Sequence, residues 1–172
     1  MKNFRFAIAS TLASLTLLAL PGSAGAAVDP NDKVIDFDTM AGVTPPFTGT
    51  ANPIRGVPGG GLPWVVERAQ GVLRADGRLE IRVRGLVLAD DPLVAPNLRL
   101  TNPVPNFRAT VSCLSVDETG LPTTVNVGTD IFPASTTGDA HIVATVELPT
   151  PCYAPIVFVT NPNGAWFSIT GR

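Results

Sequence analysis

From Trp64 onward apolar and polar residues alternate with a period of two, which turns every other side chain of an extended strand toward one face. RLEIRVR is the plainest case: Leu79, Ile81 and Val83 alternate with Arg78, Glu80, Arg82 and Arg84. The phase changes at Gly85, after which Leu86 and Leu88 become the inward residues, so a β-bulge is expected at that glycine. Upstream, Asp76-Gly77 predicts a tight hairpin whose turn needs positive φ angles. Phe107, Ala109, Val111 and Cys113 share one face of NFRATVSCL, and Val125 and Val127 mark a short strand. Ala140, Ile142, Ala144, Val146 and Leu148 share a face of GDAHIVATVELP. Residues 156–159 form an apolar run, and Ala165, Phe167 and Ile169 alternate with Trp166, Ser168 and Thr170. Near the start, Ile35 and Phe37 alternate with Asp36 and Asp38. No window of residues 27–172 carries the 3.6-residue period of a helix. About seven or eight short strands separated by turn signals predict an antiparallel β-sandwich of immunoglobulin-like or related Greek-key form, with a closed barrel as the alternative.

Two segments break the rhythm. Residues 39–63 hold eleven glycines and prolines in twenty-five positions, and residues 89–106 hold four prolines in eighteen. Loops longer than about 12–15 residues are uncommon in compact domains and often carry function. Within the first lies RGVPGGGLPWVV, residues 55–66, whose glycine run invites comparison with a phosphate-binding loop. Such a loop follows a strand, opens a helix and continues GK[ST]; this one follows proline-rich coil and leads into a strand. Its expected role is slack, with Trp64 packed on the sheet.

The first 26 residues read as an address. Lys2 and Arg5 precede an uncharged stretch over residues 6–20, then Pro21-Gly22 and the small-residue run SAGA. This is the pattern of a secretory signal peptide cleaved after Ala24-Gly25-Ala26, and the apolar stretch is short for a membrane span. No later segment approaches spanning length. One secreted domain, residues 27–172, is expected. Removing Lys2 and Arg5 from the twelve basic residues leaves ten against fourteen acidic ones, a formal charge of −4. Nucleic-acid binding by bulk charge is thereby excluded, since it needs concentrated basic side chains.

Cys113 and Cys152 are the only cysteines, and an even pair in an exported chain predicts a disulfide stitching the two layers. A metal or redox pair lacks CxxC spacing, and His141 is the single histidine. A serine hydrolase would need His141 as general base with Asp139 as orienter, but no GxSxG elbow is present and residues i and i+2 of a strand are not aimed at each other. DPNDKVIDFD gathers four aspartates, yet Lys33 occupies a ligand position, no glycine stands sixth and Met40 stands twelfth, so it is not an EF-hand. No metal or other cofactor is expected.

The remaining candidates concern binding. Arg68, Arg74, Arg78, Arg82 and Arg84 against Asp76 and Glu80 give residues 68–84 a local charge of +3. Arg78, Arg82 and Arg84 would stand in a row on one exposed face and could hold an anionic polymer such as a sulfated, phosphorylated or uronic-acid glycan; the same row also guards a sheet against pairing with its neighbours. Trp64, Tyr153 and Trp166 could stack on a sugar ring where exposed, Trp166 foremost, because Ala165 and Phe167 claim the core face. LPTPCYAP, residues 148–155, is a proline-stiffened loop of the kind a substrate-mimicking protease inhibitor presents. Glu80 and Glu147 are the carboxylates available to a hydrolase, with no distinguishing spacing.

Residues 55–171, including NPVPNFRATVSCL, GDAHIVATVELPTPCYAPIVFVT and AWFSITG, resemble small exported bacterial β-rich proteins of uncharacterised function. The resemblance implies secretion and a β-rich fold and brings no activity or site residue. The expected function is non-enzymatic: a secreted or cell-wall-associated sandwich with a binding or structural role toward an extracellular glycan, polyanion or protein. The alternatives are a secreted carboxylate-dependent hydrolase and a protease inhibitor.

Overall fold

The computed structural model describes residues 29–170; the expected leader and cleavage site lie outside the described residues. Eleven strands follow in chain order: β1 (Lys33–Phe37), β2 (Met40–Gly42), β3 (Trp64–Val65), β4 (Arg68–Arg74), β5 (Arg78–Arg84), β6 (Val87–Leu88), β7 (Asn106–Val116), β8 (Pro122–Pro133), β9 (Ala140–Thr145), β10 (Tyr153–Thr160) and β11 (Trp166–Thr170). They form two antiparallel sheets, A with order β1-β4-β5-β9 and B with order β2-β11-β10-β7-β8, and a two-stranded ribbon of β3 and β6. The sheets are not closed into a barrel, so the sandwich expectation holds and the barrel falls. β7, β8 and β9 follow one another as neighbours, the last two joined across the sheet edge by the Ala134–Ala140 bridge, and β10 returns beside β7. That order is a Greek key.

The alternating pattern sets the core. Ala69, Leu73, Leu79, Ile81, Val83 and Ile142 of sheet A face Phe107, Ala109, Val111, Val157 and Val159 of sheet B, all buried in one cluster. Trp64 stacks on Phe167 with ring centroids 3.8 Å apart, and Phe107 meets Phe167 edge-on at 5.9 Å. Such aromatic pairs each add about 0.5–1.5 kcal/mol beyond their buried area.

Between β4 and β5 the turn works with one positive φ rather than two. Gly77 takes φ 84°, while the Asp76 carboxylate accepts from the Arg78 backbone N–H at 3.1 Å and closes the turn. At Gly85, φ 61°, the expected bulge is instead an exit: β5 ends at Arg84, and the chain leaves sheet A to form β6. Leu86 and Leu88 are buried as expected, and so is Val87.

The glycine run is mostly a packing requirement. A Cβ on Gly59 would lie 1.9 Å from the Phe47 carbonyl oxygen, and one on Gly60 would lie 2.9 Å from the Phe167 ring. Only Gly61 has open space around it, so slack describes that position alone. Residues 43–63 form a strap across the outer face of sheet B. The Trp166 N–H donates to Pro58 O, the Gly60 N–H donates to Trp166 O, and Arg55 Nη1 donates to Ser112 O at 3.0 Å. Asn126 of β8 in turn donates to Arg55 O at 2.9 Å.

Cys113 and Cys152 form a disulfide with 5.0 Å between their Cα atoms. It does not stitch the layers, as expected from the sequence; it lies within sheet B, because Cys152 stands just before β10, where Tyr153 pairs with Leu114 of β7. It therefore pins the segment returning from sheet A. For a sequence separation of 39, the chain-entropy model gives about 4 kcal/mol of stabilisation. Such a bond fits an oxidising, extracellular-type compartment. Among the described residues no helix is long and apolar enough to cross a membrane.

Candidate functional site

The outer face of sheet A is where charge collects, and strand register explains how. Counting back from the Gly77 turn, Gln70 stands opposite Arg82 and Arg68 opposite Arg84. On the far side of β5, His141 stands opposite Arg82 and Val143 opposite Glu80. Arg68, Gln70, Arg82 and Arg84 line a shallow depression of about 280 Å³. A larger one of about 340 Å³ adjoins it along β1 and β4, lined by Asp36, Val72 and Glu80 among others.

Within this face the arginines differ. Arg78 is held by Asp76 Oδ2 at 2.5 Å and Asn31 Oδ1 at 2.6 Å. Arg82 turns back along its own strand and donates from Nε and Nη2 to Glu80 Oε1 at 3.2 and 3.0 Å. Arg74 donates to Asn31 O. Among the described residues, Arg68 and Arg84 have neither a carboxylate nor a hydrogen-bond partner for their side chains. Like charges directly opposite on neighbouring strands repel, so this pair is an unfavourable arrangement until an anion sits between them.

His141 and Glu80 complete the polar part. His141 Nε2 lies 3.0 Å from Glu80 Oε1, and since an ionised carboxylate only accepts, that nitrogen donates. The His141 hydrogen bond first, then the one from Arg82, hold the Glu80 carboxyl below its ordinary range. Asp139 takes no part: its carboxylate accepts from the Gly85 N–H and from Thr137 Oγ1, both at 3.0 Å.

Of the expected binding row, Arg82 and Arg84 stand together at one end of β5, while Arg78 is neutralised at the other. The sequence groups Arg68 with these arginines only by local charge and sets the row along β5; the cross-strand placement of Arg68 and Gln70 comes from register. Arg68 and Gln70 were legible in principle, because the Asp76-Gly77 turn fixes the pairing of β4 with β5.

The aromatic expectation needs correcting. Trp166 is 2% exposed and cannot stack on a ligand: it points to the outer side of sheet B, beneath the strap, with its ring 6.0 Å from that of Phe158. Phe167 reaches the core as its alternation requires, but the register shift between Val159 and Thr160 changes the phase after it: Ser168 stands opposite the inward Val159 and is buried, and Ile169, expected inside, stands opposite the outward Phe158. Trp64 is buried as well. Tyr153 is exposed, but it belongs to sheet B, beside the exposed Leu114, and does not converge with the arginines.

Other candidates disperse. Asp29 caps a turn by accepting from the Asn31 N–H, and Asp36 pairs with Lys33. Among the described residues no three His, Cys, Asp or Glu side chains gather as for a metal ion. Three of the eight residues of the 148–155 loop are strand, since β10 begins at Tyr153. The 89–106 segment is pinned to the body by Asn102, which is buried and donates to Val104 O and Ser135 O, both at 2.8 Å. No protein-family model, no curated protein and no solved structure matches the chain.

Proposed function

We propose that this protein is a non-enzymatic, secreted or cell-wall-associated β-sandwich that binds an anionic glycan through the outer face of sheet A. The observation that carries the reading is the cross-strand pair Arg68 and Arg84, exposed, directly opposed and, among the described residues, with no carboxylate oxygen within 4 Å of either guanidinium. Guanidinium forks match carboxylate, sulfate and phosphate oxygens bidentately, which relieves the repulsion between the two cations. The leader-like first 26 residues and the disulfide support export. The net negative charge of the chain keeps the attraction local to this face.

The hydrolase has less support. Glu80 is held ionised by His141 and Arg82, which suits it poorly to act as a general acid at neutral pH. Glu147 lies two residues beyond the end of β9, whose Val143 is the register partner of Glu80, so the two carboxylates do not stand opposite each other. The inhibitor loop has its last three residues, 153–155, absorbed into sheet B.

Retention on immobilised uronic-acid and sulfated glycans tests the reading. The oxidised protein is expected to bind them, release with salt, and ignore neutral glycans of the same backbone. An Arg68→Ser/Arg84→Ser double variant should pass through unretained; equal retention of the variant, or none by the parent, overturns the proposal.

A further inference from the structure

Resting on the reading of sheet A as an anionic-glycan surface, we infer that the ligand carries isolated anionic substituents, one of which sits between Arg68 and Arg84, and is not a continuous polyanion laid along the sheet. The outer side of β5 runs Arg84, Arg82, Glu80, Arg78, so its charge changes sign two residues after Arg82. At about 3.3 Å per residue, Arg84 and Arg82 together span roughly 7 Å before Glu80 enters, and beyond Arg84 the Glu67 and Asp139 carboxylates lie against Gly85. The row through Glu80 is no more welcoming to a second anion. Val72 and Val143 flank Glu80 on either side, and Asp36 of β1 stands opposite Val72. Past the Arg82 row, a chain charged at every unit would meet Glu80 and Asp36, carboxylates whose nearest cations, Arg82 and Lys33, are already engaged with them. At the far end, Arg78 is already paired with Asp76.

The sequence of chemistries along the face matches one charged group on a sugar. Directly opposed positions place the Arg68 and Arg84 Cβ atoms about 5 Å apart, near enough for both guanidiniums to grip one sulfate, carboxylate or phosphate group. One row further, the Gln70 amide offers both a donor and an acceptor, the pairing that a ring hydroxyl needs. One row beyond that, Val72 and the exposed Val143 present methyl groups to the C–H face of a ring. A continuous polyanion would meet cations in the first two rows, the second being Arg82 beside Gln70 and already bonded to Glu80, and the Glu80 carboxylate at the third.

Calorimetric titration separates the two ligand types. The probes are a disaccharide with a single sulfate, the same disaccharide with a single carboxylate, its uncharged parent, and a heparin-type oligosaccharide. At least one singly charged disaccharide is expected to bind ten times or more tightly than the parent, and the one preferred identifies the substituent. Arg68→Ser and Arg84→Ser should each lose tenfold or more. Arg84→Lys, which keeps the charge and loses the fork, should fold normally and lose several-fold. Arg74→Ser/Arg78→Ser should change affinity by less than twofold, and affinity for the oligosaccharide should fall with salt along a logarithmic slope of about −2, the signature of two ion contacts. If the singly charged probes bind no better than the parent while the oligosaccharide binds with a slope of about −5 and needs Arg74 and Arg78, this inference fails and the anionic-glycan reading survives. If no charged probe binds, both fail.

Discussion

The two outer faces of the sandwich are built from strands of the same alternating type and have opposite fates. Sheet A keeps its outer side bare, with arginines, His141, Glu80 and Gln70 in solvent. Sheet B has its outer side chains Thr110, Ser112, Phe158, Thr160 and Trp166 buried, and the strap of residues 43–63 is bonded to this sheet at Ser112, Asn126, Trp166 and Phe167. Alternation along a strand identifies the inner row; whether the other row meets water is decided by a segment far away in sequence that has no strand rhythm of its own. The two faces also differ in how well polar groups are satisfied. Arg108 Nε, Ser112 Oγ and Trp166 Nε1 are buried without a protein partner, and all three lie on sheet B. On sheet A the unpartnered Arg68 and Arg84 remain in solvent, where leaving a charge unpaired is tolerable and binding an anion is favourable.

The largest expected contrast is in stability. Trp166→Ala should destabilise the protein by about 3–5 kcal/mol in urea unfolding, as for a large aromatic truncated in a core. Arg84→Ser should stay within about 0.5 kcal/mol of the parent, as for an exposed side chain. Comparable losses for the two would mean that the faces are not distinguished as described. The strap sharpens the same contrast at smaller scale: Gly59→Ala, forced against the Phe47 carbonyl, should cost about 1–3 kcal/mol, while Gly61→Ala should be nearly silent. The smallest effect concerns the Glu80 carboxyl. Because its pKa is lowered in the folded state, its contribution to stability is present above the ordinary carboxylate range and fades as pH falls through the lowered value. In His141→Ala the largest cause disappears, and a carbon-detected NMR titration of Glu80 should show its pKa rising toward 4.5; an unchanged midpoint would remove His141 from the site.

Much of this fold is written in single strands. RLEIRVR shows its buried and exposed rows without a structure, and Ile142, Phe107 and Val111 lie inside as their alternation requires. What the strands do not carry is the relation between distant segments. Trp166 reads as outward-facing, and it does leave the core side; nothing within AWFSITG announces that residues 58–60 will pair with its backbone or that its ring will be buried. The disulfide partners follow from counting cysteines, but their placement within one sheet depends on the return of β10 beside β7. The arginine site lies between these extremes. Arg82 and Arg84 are visible as a row along β5, whereas Arg68 joins them only through the register that the Gly77 turn imposes. Glycines behave likewise: Gly59 and Gly61 are indistinguishable in sequence, and a carbonyl twelve residues upstream separates their roles.

The most direct test of the unequal faces is a map of amide NMR shifts as a singly sulfated disaccharide is added to the oxidised protein. Changes are expected to centre on Arg68, Gln70, Arg82 and Arg84 and to fade toward Arg78, with Phe158 and Trp166 unmoved. Shifts centred on Phe158, Trp166 and the strap, with the arginine strands silent, would contradict it.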